Sequence, residues 1–138
     1  MKSPLDVYKK NQIQTAPPER LVLMLYDGAI KFITKAIEAI EAKNIEAANN
    51  NLLRAQGIMS ALMVGVNFEA GKVAEGFYAL YDYMYRRLIH ANIRKDKEAA
   101  EEVLNMVREL RDSWVEMLKA NKVSKRPSFG EVTITADA

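Results

Sequence analysis

Residues Thr15 to Phe32 read TAPPERLVLMLYDGAIKF, and they predict the start of a long amphipathic helix. Thr15 can cap the first turn, and Pro17 and Pro18 suit positions whose N–H groups have no partner within a helix. At about 100° per residue, the apolar side chains from Leu21 to Ile40 fill an arc of roughly 200°, wider than the ~100° stripe that one core-facing side requires. We therefore expect this helix to carry more apolar surface than a small bundle covers.

Three further helical segments follow, and we predict four helices at about 18–42, 45–66, 73–94 and 97–121. Asn44 and Asp96 stand where N-caps are expected, and the stretch from Val66 to Lys72, which contains Gly71, has the composition of a loop. Long helices joined by short loops predict an all-α fold, an antiparallel up-down-up-down four-helix bundle.

Both ends of the chain differ from the bundle. The segment at about 5–13 has helical spacing, but a helix this short is marginal in water, so we predict a short N-terminal cap helix held by few contacts. Tyr8, Gln12 and Ile13 are expected to form this lid. The helical period is lost near residue 123, so residues 1–122 are predicted to form one domain and residues 123–138 a flexible tail.

The composition favours a single cytoplasmic domain. A chain of 138 residues is long enough for one core, and its net charge of +2 gives little reason to expect nucleic acid as a partner. The absence of cysteine fits a reducing compartment. No apolar run reaches the ~18–20 residues of a membrane span, and the first four residues are not followed by a signal-peptide core, so membrane insertion is not expected.

The sequence contains no recognisable catalytic or metal-binding constellation. Di-metal sites in four-helix bundles use inward glutamates and Glu-x-x-His pairs, but His90 is the only histidine and Arg87 stands three residues before it. The glutamates fall on polar helix faces, and Ser60 and Ser113 have no histidine at a suitable spacing. We therefore predict that the protein is not an enzyme and holds neither a metal nor a cofactor.

The wide apolar arc of the first helix and a flank of tyrosines on the third helix need an explanation. Both could belong to the core, with the lid covering one of them; alternatively, they line a groove for an amphipathic partner helix. On the second interpretation, the residues that contact the partner are Leu23, Met24, Tyr26, Ile30, Tyr78, Tyr81 and Tyr85. Two other hypotheses stay open: that the surplus apolar face is the seam of a homodimer, and that the basic positions bind nucleic acid.

Four stretches carry a family resemblance: Tyr8-x-x-x-Gln12-Ile13-x-Thr15-Ala16, LVLMLYDGAI at 21–30, LYDYMYRRL at 80–88 and ELRDSW at 109–114. In this order and with this spacing they resemble the flagellar secretion chaperone FliS family. The resemblance extends over about residues 5–120. The chain departs from the family at Ala70-Gly71, where two adjacent glycines are usual.

The resemblance implies a cytoplasmic export chaperone for flagellin. Members of the family bind the disordered C-terminal segment of flagellin, which wraps the bundle as helices in apolar grooves. Binding prevents premature polymerisation and delivers the subunit to the flagellar export gate. The N-terminal lid of the family is thought to lie where part of this client binds, and Asp27 and Arg87 are candidates for polar contacts with it.

Overall fold

A computed structural model describes residues 17–125, and side chains within residues 17–121. Its four helices are α1 (Pro18–Glu41), α2 (Ile45–Val64), α3 (Lys72–Arg94) and α4 (Lys97–Lys125), and a 3-10 turn, Phe68–Ala70, lies between α2 and α3. The described range contains no strand, so the predicted all-α fold is confirmed. The helix bounds lie close to those predicted, except that α4 continues past Asn121 to Lys125.

Two of the three predicted helix caps are present. The Asn44 side chain accepts a hydrogen bond of 3.1 Å from the N–H of Ala47, and the Asp96 side chain accepts one of 3.2 Å from the N–H of Ala99. Each bond satisfies one of the donors that a helix start leaves unpaired. Thr15, the predicted cap of α1, lies outside the described residues, as do the lid at 5–13 and the chain beyond residue 125.

The four helices pack in a ring, in which α1 and α3 each contact both α2 and α4. Glu41, at the end of α1, pairs with Lys97 at the start of α4 at 2.8 Å. Near the start of α1, the backbone oxygen of Glu19 accepts a 2.7 Å hydrogen bond from the indole of Trp114, further along α4. The contacts therefore run in opposite order along the two helices, as antiparallel packing requires.

The core is built from apolar side chains of all four helices, and it contains no buried charged residue within the described range. Its largest fully buried members are Tyr26, Ile33, Leu52, Met59, Met84, Leu88, Val103 and Val107. Half-buried apolar residues, among them Phe32 and Ile40, flank this core.

The surplus apolar surface expected along α1 is largely covered. Six α1 residues are buried, and the flanking apolar residues pack against the core at half exposure. Met24, at 43% exposure, is the only large apolar residue of α1 that is clearly exposed. The expected surplus of apolar surface on α1 is therefore small, because α2 and α4 both pack against this helix and leave only Met24 clearly exposed.

Candidate functional site

An open apolar cleft of about 290 Å³ lies at the end of the bundle where α1 begins, α2 ends and α3 begins. Apart from Asn67 and the hydroxyl of Tyr81, its lining is apolar. The lining residues are Val22, Leu25, Ala61, Leu62, Gly65, Val66, Asn67, Ala70, Val73, Ala74, Phe77, Tyr81 and Trp114. A concave apolar surface with few polar groups is typical of sites that bind apolar side chains of a partner.

The connection between α2 and α3 forms one wall of this cleft. It spans residues 65–71, whereas the other two connections span only 42–44 and 95–96. Asn67 begins the 3-10 turn by accepting a 3.0 Å hydrogen bond from the N–H of Glu69. Gly71 then adopts φ 84°, a value that favours glycine, and leads directly into α3. This longer connection lets the ends of α2 and α3 stand apart.

Apolar side chains are exposed at and beside the rim of the cleft. Val73 is 68% exposed and Phe68 is 55% exposed, and the rings of Phe68 and Tyr78 lie 5.3 Å apart. Contiguous exposed apolar groups of this kind mark interaction surfaces more often than isolated ones do. The cleft therefore continues outward onto an apolar rim.

Below the cleft, two tyrosines of the core are joined by a hydrogen bond. The hydroxyl oxygens of Tyr26 on α1 and Tyr81 on α3 are 2.7 Å apart and buried, and either hydroxyl can be the donor. Burial raises the pKa of both phenols above their ordinary value, because a charged phenolate would lose its hydration there. The indole ring of Trp114 packs edge-on against the Tyr26 ring, with the ring centroids 6.2 Å apart. Trp114 therefore packs beside the tyrosine pair below the cleft.

The residues predicted to contact a partner occupy three kinds of environment. Met24 and Tyr78 are exposed, and Tyr81 is buried but borders the cleft. Tyr26 has no exposed surface, so in this conformation it can support the site but not touch a partner. The half-buried members of the set are Leu23, Ile30 and Tyr85. The lid residues Tyr8, Gln12 and Ile13 lie outside the described range.

Sequence reasoning missed most of the cleft walls. The α1 wall is formed by Val22 and Leu25 rather than by Leu23 and Met24. Val73, Phe77 and Trp114 also line the cleft, although helical spacing alone assigns them to the core. A helical wheel shows on which face of its helix a side chain lies. It does not show whether a neighbouring helix packs against that face at that position along the bundle axis. The length of the loop after α2 was the available signal.

The two charged residues considered for partner contacts have partners within the bundle. Asp27 pairs with Arg111 of α4, and the Arg87 guanidinium donates to Glu102 at 2.6 Å. Hydrogen bonds from the Tyr83 hydroxyl and then from Arg87 lower the pKa of the Glu102 carboxyl. These pairs cross between helices, so Asp27 and Arg87 each have a partner within the bundle; their contact with a client stays a prediction.

The described residues contain neither a cluster of metal-binding side chains nor a helix suited to a membrane. Among residues 17–125, no three acidic or histidine side chains stand close enough together to coordinate a metal. No helix in this range combines the length and the apolar character needed to cross a membrane.

Sequence comparison finds relatives along nearly the whole chain. The sequence model of a family described as flagellar protein FliS matches residues 1–121. A protein of Bacillus subtilis (strain 168), named flagellar secretion chaperone FliS, is 38% identical over 130 residues, 94% of this chain and 97% of the relative. A Salmonella typhimurium protein of the same name is 32% identical over 133 residues, 95% of this chain and 94% of the relative.

Proposed function

This chain belongs to the FliS family of flagellar secretion chaperones, and we propose that it is a cytoplasmic chaperone for the C-terminal segment of flagellin. On this proposal the segment binds as helices in apolar grooves, is kept from premature polymerisation and is delivered to the flagellar export apparatus. Both relatives are named as chaperones, in agreement with the prediction that the protein is not an enzyme.

The apolar cleft and its rim are the observation that carries this proposal. A disordered segment loses conformational entropy when it folds on a surface, so it needs several apolar anchors rather than one polar contact. Val73 and Phe77 provide apolar surface on α3, and Val22 and Leu25 provide it on α1. Each well-buried anchor contributes roughly 1.5–3 kcal/mol, so a few of them offset the ordering of a short helix.

The contact surface that we propose keeps the exposed residues of the sequence prediction and adds the cleft walls. Met24 and Tyr78 contact the client, and Tyr81 forms part of a wall. Tyr26 holds Tyr81 in place from below through the buried hydrogen bond. Leu23, Ile30 and Tyr85, which are half-buried, contribute edges of the surface.

The N-terminal lid is part of the same proposal. The chain enters α1 at Pro18, and Val22 of the cleft lies about one helical turn further on. Ile13 stands five residues before Pro18, a separation that spans at most about 17 Å of extended chain. The lid residues therefore have the reach to cover the cleft, and a client has to displace them.

The direct test is a titration of the protein with a peptide that contains the C-terminal segment of flagellin. We expect heat of binding by calorimetry and a gain of helical circular dichroism as the peptide folds. Val73→Glu places a charge in the cleft and should weaken binding about 10- to 100-fold, the equivalent of one lost anchor. Val73 is already 68% exposed, so this substitution leaves the core intact.

Ile93→Glu is the matched control, because Ile93 is a 76% exposed apolar residue near the other end of the same helix. It should leave peptide affinity unchanged, while thermal melting verifies that both variants fold. If neither heat nor helicity changes on titration with the unaltered protein, the proposal is wrong. A dimer that is independent of concentration in sedimentation and refuses the peptide would favour the homodimer hypothesis.

A further inference from the structure

Two helices contribute cations to the surface around the ring of Phe32. The ammonium of Lys31 on α1 lies 5.6 Å from the centre of this ring, and the guanidinium of Arg54 on α2 lies 5.5 Å from it. The two charges are therefore separated by at most about 11 Å. Lys35 stands one helical turn after Lys31 and is also exposed. We call Lys31, Phe32, Lys35 and Arg54 the basic patch.

The three cations of the basic patch have no acidic partner within the described residues. Salt bridges in that range are formed by other cations: Arg86, Arg87, His90, Lys97, Arg111 and Lys119. Two lysines four residues apart on a helix repel each other, which opposes folding slightly. The single acidic residue of α2 is Glu46, roughly 12 Å before Arg54 along the helix.

The acidic residues of α1 do not neutralise the patch either. Asp27 and Glu41 each pair with a cation of α4. Glu38 borders the groove between α1 and α4, and Glu19 stands more than three turns before the first lysine of the patch. The α1–α2 side of the bundle therefore presents positive charge that the described residues leave uncompensated.

Exposed uncharged residues border the basic patch. Met24, 43% exposed, lies two turns before Lys31 on the same face of α1, and Leu53, 51% exposed, is next to Arg54. Beyond Arg54, the exposed residues of α2 are all uncharged: Gly57, Ser60, Ala61 and Val64. A ligand with both carboxylates and apolar side chains matches this combination. Carboxylates one turn apart on a helix have the spacing of the two lysines.

We propose that the basic patch is a docking site for an acidic amphipathic helix of a partner protein, which sets two carboxylates one turn apart against its three cations. Other grooves of the described bundle do not offer this charge. A groove between α3 and α4 contains Glu109 and no cation, and the groove between α1 and α4 contains Glu38 and Glu101 beside Arg108. Three cations neutralise few phosphates, so the patch suits a short acidic helix better than a nucleic acid.

The test uses the full chain and a fluorescein-labelled peptide of four Glu-Leu-Ala-Ala repeats, whose glutamates recur one helical turn apart. We expect fluorescence anisotropy to show binding that weakens several-fold between about 50 mM and about 300 mM salt, because exposed ion pairs are screened. The same peptide with glutamine in place of each glutamate should bind about tenfold more weakly, the effect of a few exposed ion pairs.

Lys31→Glu combined with Lys35→Glu reverses two exposed charges and should weaken binding of the glutamate peptide tenfold or more. The matched control combines Lys43→Glu with Arg94→Glu, which changes the net charge equally at two other exposed cations. It should weaken binding much less, and thermal melting verifies that both variants fold.

The proposal is overturned if the glutamate peptide does not bind, if the glutamine peptide binds equally well, or if both double variants lose affinity to the same extent. Displacement of the bound peptide by a single-stranded oligonucleotide at equal concentration would identify the patch as a nucleic-acid site instead. The proposal does not rest on flagellin as the client, and its test contains no flagellin.

Discussion

The buried pair of Tyr26 and Tyr81 offers the sharpest test of the physical reasoning behind the site. Tyr26 has no exposed surface, Tyr81 is 4% exposed, and their hydroxyls are 2.7 Å apart. In Tyr26→Phe the Tyr81 hydroxyl loses its partner where water has almost no access. Leaving a buried polar group unpaired costs about 1–3 kcal/mol, and the same range applies to Tyr81→Phe.

The double variant should behave differently from the sum of the two. Replacing both tyrosines by phenylalanine removes the two polar groups together and keeps the packing of the rings, so its cost should be close to zero. With an unfolding entropy of about 2 cal/mol/K per residue over roughly 100 ordered residues, 1 kcal/mol corresponds to about 5 °C in Tm. Each single variant should therefore melt roughly 5–15 °C lower, and the double variant near the unaltered protein.

Thermal and urea unfolding measure this cycle, followed by circular dichroism and by the fluorescence of Trp114, which packs against the Tyr26 ring. Tyr83→Phe is the matched control, since Tyr83 lies on the same helix but is 45% exposed. It loses a surface hydrogen bond to Glu102 and should change stability little. Additive losses in the double variant would refute the claim that the two hydroxyls depend on each other.

Two further predictions concern pH and the lid. Because burial raises the pKa of Tyr26 and Tyr81, the unfolded chain loses its tyrosine protons first, so the stability from these phenols is complete below about pH 10 and declines above it. Urea unfolding should show a shallower decline above pH 10 in the double phenylalanine variant, and equal slopes would contradict this. Removal of residues 1–14 should tighten binding of the flagellin peptide about tenfold if the lid covers the cleft in nine molecules of ten. Calorimetry that gives an equal or weaker affinity would show that the lid does not compete.

The fold was predictable because each helix carries its own local signals. The caps at Asn44 and Asp96 stand where the sequence puts them, and the periodic apolar positions fix the core face of each helix. The site was less predictable, because it depends on where two helices separate. Val73 and Tyr81 project from the same helix, and helical spacing assigns Val73 to the core side and Tyr81 to its flank, yet Val73 is 68% exposed and Tyr81 is 4% exposed. What distinguishes the two residues is how closely α2 and α4 approach α3 at each position along the bundle axis. Helical periodicity contains no information about that distance.

Alanines are frequent among the buried residues at the end of the bundle opposite the cleft. Five alanines there have no exposed surface: Ala36, Ala48, Ala91, Ala99 and Ala100. Interhelical distance depends on the side chains at the contact, so alanines let the four helices approach closely there. Toward the cleft, the same core continues through large side chains, including Tyr26, Met59 and Tyr81. The two tyrosine hydroxyls are buried and satisfy each other through their hydrogen bond. Close packing at the alanines and the hydrogen-bonded tyrosine pair beneath the cleft are therefore two separate contributions to the stability of one core.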